Sequence, residues 1–90
     1  MKELLRFWSF ITNNCDEETV EELLENYEFD ADTFSEKKLS VLSDEEIDSL
    51  FGDLIGLYMD ASGTDNLGDV YEVLVTEVNM SEERASKLLS

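Results

Sequence analysis

Residues 43–60 read SDEEIDSLFGDLIGLYMD, and the first four of them decide how the rest folds. Ser43 followed by Glu46 is the spacing of a capping box, in which each side chain satisfies a free backbone N–H of the other residue. Behind it Ile47, Leu50, Phe51, Leu54, Ile55 and Tyr58 recur at the three- and four-residue steps of one helical face. The stretch predicts an amphipathic helix central to a core. Gly52 and Gly56 lie four apart inside it, each costing on the order of 1 kcal/mol against Ala. That cost predicts close approach of another backbone there.

Toward the N-terminus, CDEETVEELLENYEFDAD (residues 15–32) keeps the same period, with Val20, Leu23, Leu24 and Tyr27 on one face. A helix is predicted from about Asp16 to Tyr27, with Asp16, Glu17 and Glu18 in a first turn where negative charge complements the helix dipole. Residues 2–12 predict another, through Leu4, Phe7, Trp8 and Ile11, widened by Leu5 and Phe10. Asn13 and Asn14 are expected to end it and to offer the next N-cap. Residues 32–42 carry a weaker pattern in Phe34, Leu39 and Leu42, consistent with a short helix or a helical turn.

Toward the C-terminus, DASGTDN (residues 60–66) reads as a loop, because Ser, Gly, Asp and Asn compete with helix for backbone hydrogen bonds. LGDVYEVLVTEV (residues 67–78) fits either a helix, with Leu67, Val70, Tyr71, Leu74 and Val78 on a face, or a β-branched strand. No other segment could pair with a lone strand, so a helix is expected. Ser81 then caps a terminal helix, with Met80 as its hydrophobic staple against the turn of Arg84, and Leu88 and Leu89 return to the core. The expectation is an all-α fold: residues 1–90 as a single small acidic bundle of four to five helices.

Charge narrows function. The 23 Asp and Glu against 6 Lys and Arg give a net charge of −17, where a small soluble domain usually carries a magnitude of about 2 to 8. The cations stand at Lys2 and Arg6, at Lys37 and Lys38, and at Arg84 and Lys87, so residues 7–36 and 39–83 contain none. Such a chain repels nucleic acid and anionic membrane surfaces, and favours a basic protein as partner.

Catalysis is disfavoured by the absence of His, the usual base beside a Ser or Cys nucleophile. No enzyme and no cofactor are expected. Asp30, Asp32 and Glu36 resemble the opening of a calcium loop, but Phe34, Ser35 and Val41 occupy positions that need a ligand, a glycine and a bidentate glutamate. No metal site follows. A lone Cys15 excludes an internal disulfide, and its acidic neighbours oppose a reactive thiolate. The run FWSFI after Lys2 and Arg6 is too short for a secretory signal, and no segment reaches the roughly 20 apolar residues of a membrane span. A cytoplasmic protein is expected.

The acids are the remaining candidates. A solvated surface needs far fewer of them, and self-repulsion at this charge destabilises the compact state. The expected partner-binding residues are Glu17, Glu18, Glu21, Glu22 and Glu25 on the 16–27 helix, Glu28, Asp30 and Asp32 after it, and Asp44, Glu45, Asp48 and Asp53 on the 43–60 helix.

Two families share features with these residues. Asp48-Ser49-Leu50 is similar to the Asp-Ser-Leu signature of acyl carrier proteins, in which the serine opens a helix; here the triplet lies inside one. IDSLFGDLIGLYMD (residues 47–60), followed after a loop by Val73-Leu74 and Glu77-Val78, resembles the colicin D type of immunity protein. The Leu50-Phe51 pair, Tyr58 and Asp60 carry the likeness, with Tyr58 one residue later than in that family. The resemblance implies an acidic helical inhibitor seated on the basic face of a toxin nuclease. Nucleic-acid mimics of the anti-restriction and anti-CRISPR kind share the charge without a common motif. The alternative of a different class is a non-inhibitory acidic adaptor or an acyl-carrier-like module.

Overall fold

The capping box closes at both ends: Ser43 Oγ accepts from the Glu46 N–H at 3.2 Å, and Glu46 Oε1 accepts from the Ser43 N–H at 3.2 Å. In this computed structural model, which describes residues 2–30 and 32–90, six helices form among the described residues. They are α1 (Lys2–Asn14), α2 (Glu17–Asn26), α3 (Glu36–Leu39), α4 (Asp44–Ser62), α5 (Leu67–Thr76) and α6 (Glu82–Leu89). No strand is present among those residues, so the fold is all-α. A radius of gyration of 12.2 Å equals what a compact chain of this length should have.

α4 is the spine. Ile47, Phe51, Leu54, Ile55 and Leu57 are buried along it, while Leu50 and Tyr58 are half-buried. Against it α1 lays Leu4, Phe7 and Ile11, and the Phe7 and Phe51 rings stack at 6.0 Å. α2 and α6 also pack on α4, and α5 packs on α6. Val70, Leu74, Val78, Met80 and Ala85 complete the core at that end. Met80 and Ala85 flank the Ser81 cap and are both buried, as a staple across that cap requires.

Several boundaries differ from the sequence expectation. α1 does not stop at Asn13 but runs through Asn14, because the Asn14 amide donates back to the Phe10 carbonyl at 2.8 Å and is satisfied within the helix. The capping role passes to Asp16, which therefore precedes the first turn of α2; its Oδ2 accepts from the N–H and hydroxyl of Thr19. Segment 32–42, by contrast, holds the single helical turn expected of it, with Phe34 and Leu39 buried. α4 continues three residues into the expected loop, through Ser62, and ends where Gly63 takes φ 74°, its N–H donating to the Met59 carbonyl. Leu67, expected on the buried face of α5, is half-exposed at the first helical position, directly behind the Asn66 cap.

The two glycines of α4 also behave differently from expectation. Gly52 faces open space: beyond its chain neighbours and the adjacent backbone of α4, no atom lies within 4 Å of where a Cβ would stand. At Gly56 the close neighbour is a side chain rather than a backbone: a Cβ there would lie 2.9 Å from the Tyr27 hydroxyl oxygen.

Candidate functional site

α2 divides its residues as its period requires. Val20 and Leu24 are buried and Leu23 and Tyr27 half-buried, whereas Glu17, Glu18, Glu21, Glu22 and Glu25 are all exposed. No ion pair within the chain reaches any of these five among the described residues. The helix then closes through a Schellman turn: the Phe29 N–H donates to the Leu24 carbonyl and the Glu28 N–H to that of Glu25. Glu28 sits at the left-handed position of this turn with φ 61°, where glycine is usual. The turn brings Phe29 edge-on to Phe34 at 5.4 Å, and Phe34 in turn stacks on Trp8 at 4.7 Å.

Not all twelve expected contact residues are free. Lys38 folds back onto Asp32 at 3.0 Å and lies 3.9 Å from Asp30. The hydrogen bond from Lys38 holds the Asp32 carboxyl below the usual carboxylate range and lifts the Lys38 ammonium above its own. Arg84 donates to Asp48 at 2.8 Å and to Glu3 at 2.9 Å. Partial burial alone would lower the Arg84 pKa, but its bonds to Asp48 and Glu3 more than offset this and raise it. Asp30, Asp32 and Asp48 therefore belong to internal ion pairs, an outcome that distance along the chain conceals.

The other expected residues are spread over more than one surface. Asp44 and Glu45 are exposed in the first turn of α4. Asp53 lies further along α4, beside the seam with α2. In that seam the Tyr27 hydroxyl rests over Gly56 and donates to Asp60 Oδ2 at 3.2 Å. Burial first, and then the charge and hydrogen bond of Asp60 and the charge of Asp53, push the Tyr27 phenol up. Asp60 was not among the expected residues. Its seven-residue spacing from Asp53 would have placed it on the same helical face.

Arg6 is committed as well, donating to the Val78 carbonyl at 3.1 Å beyond the end of α5. Cys15 is half-buried, and burial pushes its thiol up, away from thiolate chemistry. No group of three Asp, Glu or Cys converges to hold a metal ion among the described residues, and no helix there is long and apolar enough to cross a membrane.

Comparison with known proteins gave no match to a protein-family model, a curated protein or a solved structure. The outer face of α2 thus stands on its own chemistry: five carboxylates on a helix anchored from behind, with no cation paired to them among the described residues.

Proposed function

We propose that this chain is a small acidic inhibitor that binds and neutralises a basic protein acting on nucleic acid. The partner is either a toxin nuclease, with the chain as its immunity protein, or an enzyme of the restriction or CRISPR kind, with the chain as a nucleic-acid mimic. The observation that carries the proposal is the face of α2 on which Glu18, Glu21, Glu22 and Glu25 stand exposed, with no ion pair to any of them among the described residues.

Charge density supports it. From Glu17 to Glu25 the helix rises about 12 Å and carries five carboxylates, about one per 3 Å. A single nucleic-acid strand presents one charge per about 3.4 Å. A cleft that reads phosphates meets a similar spacing on α2.

Charge placement supports it too. Glu25 lies in the last turn of α2, where negative charge opposes the helix dipole, and no base stands there to offset it. Asp60 likewise lies in the last turn of α4, which also lacks a base. The fold alone disfavours these charges, whereas a basic partner would relieve them and would associate quickly, at a rate falling with salt. The proposed place of action is the cytoplasm, where such enzymes meet nucleic acid. Ser49, where a carrier's arm would attach, lies in the second turn of α4 rather than at its start, which favours an inhibitor over a carrier.

The test is charge reversal of Glu18, Glu21, Glu22 and Glu25 to Lys, with inhibition of the basic partner as the readout. The reversed chain should stay helical by circular dichroism and lose inhibition. A variant that folds and inhibits like the parent contradicts the proposal.

A further inference from the structure

Between α1 and α2 lies a groove of about 300 Å³ lined by Trp8, Thr12, Glu17, Val20, Glu21 and Leu24. Its volume is at the lower edge of ligand pockets, which begin at about 300 Å³, and suits one side chain better than a nucleotide. Val20 and Leu24 are buried and supply an apolar lining. Trp8 is half-buried and braced by the Phe34 ring stacked on it at 4.7 Å, with 27° between the planes. Glu17 and Glu21, one helical turn apart, are exposed and have no cation bonded to them among the described residues.

An apolar trough with an indole at its side and two free carboxylates at its rim is complementary to a long cationic side chain. The methylene stem covers the apolar lining while the charged head stays with the carboxylates. An apolar guest would desolvate Glu17 and Glu21 without compensation, and an acidic one would be repelled. Arginine fits better than lysine, because its planar guanidinium can stack on the indole and its fork of donors can reach both carboxylates. The larger hollow of about 540 Å³ between α3 and α4 lacks this complementarity, since its one carboxylate, Glu46, is engaged in the Ser43 capping box and no tryptophan lines it.

We propose that the groove between α1 and α2 receives an arginine side chain of the basic partner, held by Glu17 and Glu21 and stacked on Trp8. The inference rests on the inhibitor function proposed above and names the contact that function uses.

Trp8 is the sole tryptophan of the chain, so tryptophan fluorescence reports on the wall of this groove and on no other tryptophan. The probe is a labelled hexa-arginine peptide, with hexalysine for comparison, titrated at low salt. Affinity is read from anisotropy of the label and occupancy of the groove from Trp8 emission. Glu17→Gln with Glu21→Gln is set against Glu82→Gln with Glu83→Gln, which removes the same charge from the first turn of α6. Hexa-arginine should change Trp8 emission, bind more tightly than hexalysine, and lose about tenfold in affinity in the first variant and clearly less in the second. Thermal melts establish that both variants are folded. Salt-sensitive binding that leaves Trp8 emission unchanged and falls equally in both variants overturns the groove but leaves the electrostatic inhibitor standing. Hexalysine binding as tightly as hexa-arginine overturns the choice of arginine. Absence of any binding at low salt removes the inhibitor function along with the groove.

Discussion

Arg84 donates to the Asp48 carboxylate at 2.8 Å, joining the last helix to the central one and taking Asp48 out of the free acidic surface. The same guanidinium holds Glu3 at 2.9 Å and lies 5.9 Å from the centre of the Phe51 ring, so α1, α4 and α6 meet at one side chain. Its side chain keeps 36% of its exposure, and solvent screening limits what the ion pairs contribute. Arg84→Met should destabilise the fold by about 1 kcal/mol. Urea unfolding measures the loss, and an unchanged midpoint would show that the three-helix contact contributes nothing.

Glu28 occupies a left-handed backbone position, φ 61°, that strains any residue with a Cβ. Glu28→Gly should therefore stabilise the chain by about 1 kcal/mol, even though glycine also loosens the unfolded state. A lower unfolding midpoint would place the turn elsewhere.

The glycines of α4 give opposite expectations. Gly52 faces open space, so Gly52→Ala should raise stability by about 0.5 to 1 kcal/mol through helix propensity alone. A methyl at Gly56 must displace the Tyr27 hydroxyl and its bond to Asp60, so Gly56→Ala should gain less or lose stability. In a Tyr27→Phe background the gain at residue 56 should return. Equal effects of both glycine substitutions in the parent chain would refute the contact.

Tyr27 also sets an alkaline limit. Its folded pKa is raised above the usual value of 10.0 by burial and by Asp60 and Asp53. A raised folded pKa means a contribution present below the unfolded pKa and lost as pH rises through the folded one. Stability should decline above about pH 10, and Tyr27→Phe should flatten that decline. Urea midpoints across this range check it. Asp32 acts at the other end: its lowered pKa means that its pairing with Lys38 is present above the unfolded carboxylate pKa and lost as pH falls through the folded one.

Much of this architecture was readable from local pattern. The Ser43–Glu46 box, the 20, 23, 24, 27 stripe and the Ser81 cap are short-range features, and each forms in the fold. Helix was the right choice over strand for residues 67–78, although α5 ends at Thr76, two residues short of that stretch; no strand forms among the described residues to pair with one. What stayed hidden is long-range or conformational. Arg84 meets Asp48 across 36 residues and Glu3 across 81, a relation that only the folded chain creates. The left-handed turns at Glu28 and Asn79 carry no glycine to announce them. On the acidic surface, the exposure of the α2 carboxylates followed from helical period, whereas the removal of Asp30, Asp32 and Asp48 into ion pairs required knowing where Lys38 and Arg84 fold.

Glu25 separates charge kept for binding from charge kept for folding. At the C-terminal end of α2 a cation is favoured, so Glu25→Lys should stabilise the free chain by about 0.5 kcal/mol. The same change should weaken the basic partner's binding. Opposite signs in the unfolding and binding measurements are expected, and a gain in both would assign Glu25 no part in the contact.

The most direct measurement is competition. The chain is bound to its basic partner at about 0.15 M salt, and double-stranded and single-stranded nucleic acid are titrated against the complex. An inhibitor that occupies the nucleic-acid cleft should be displaced, its apparent affinity falling in proportion to the competitor. A complex that is indifferent to saturating nucleic acid would contradict the account and leave the chain an adaptor.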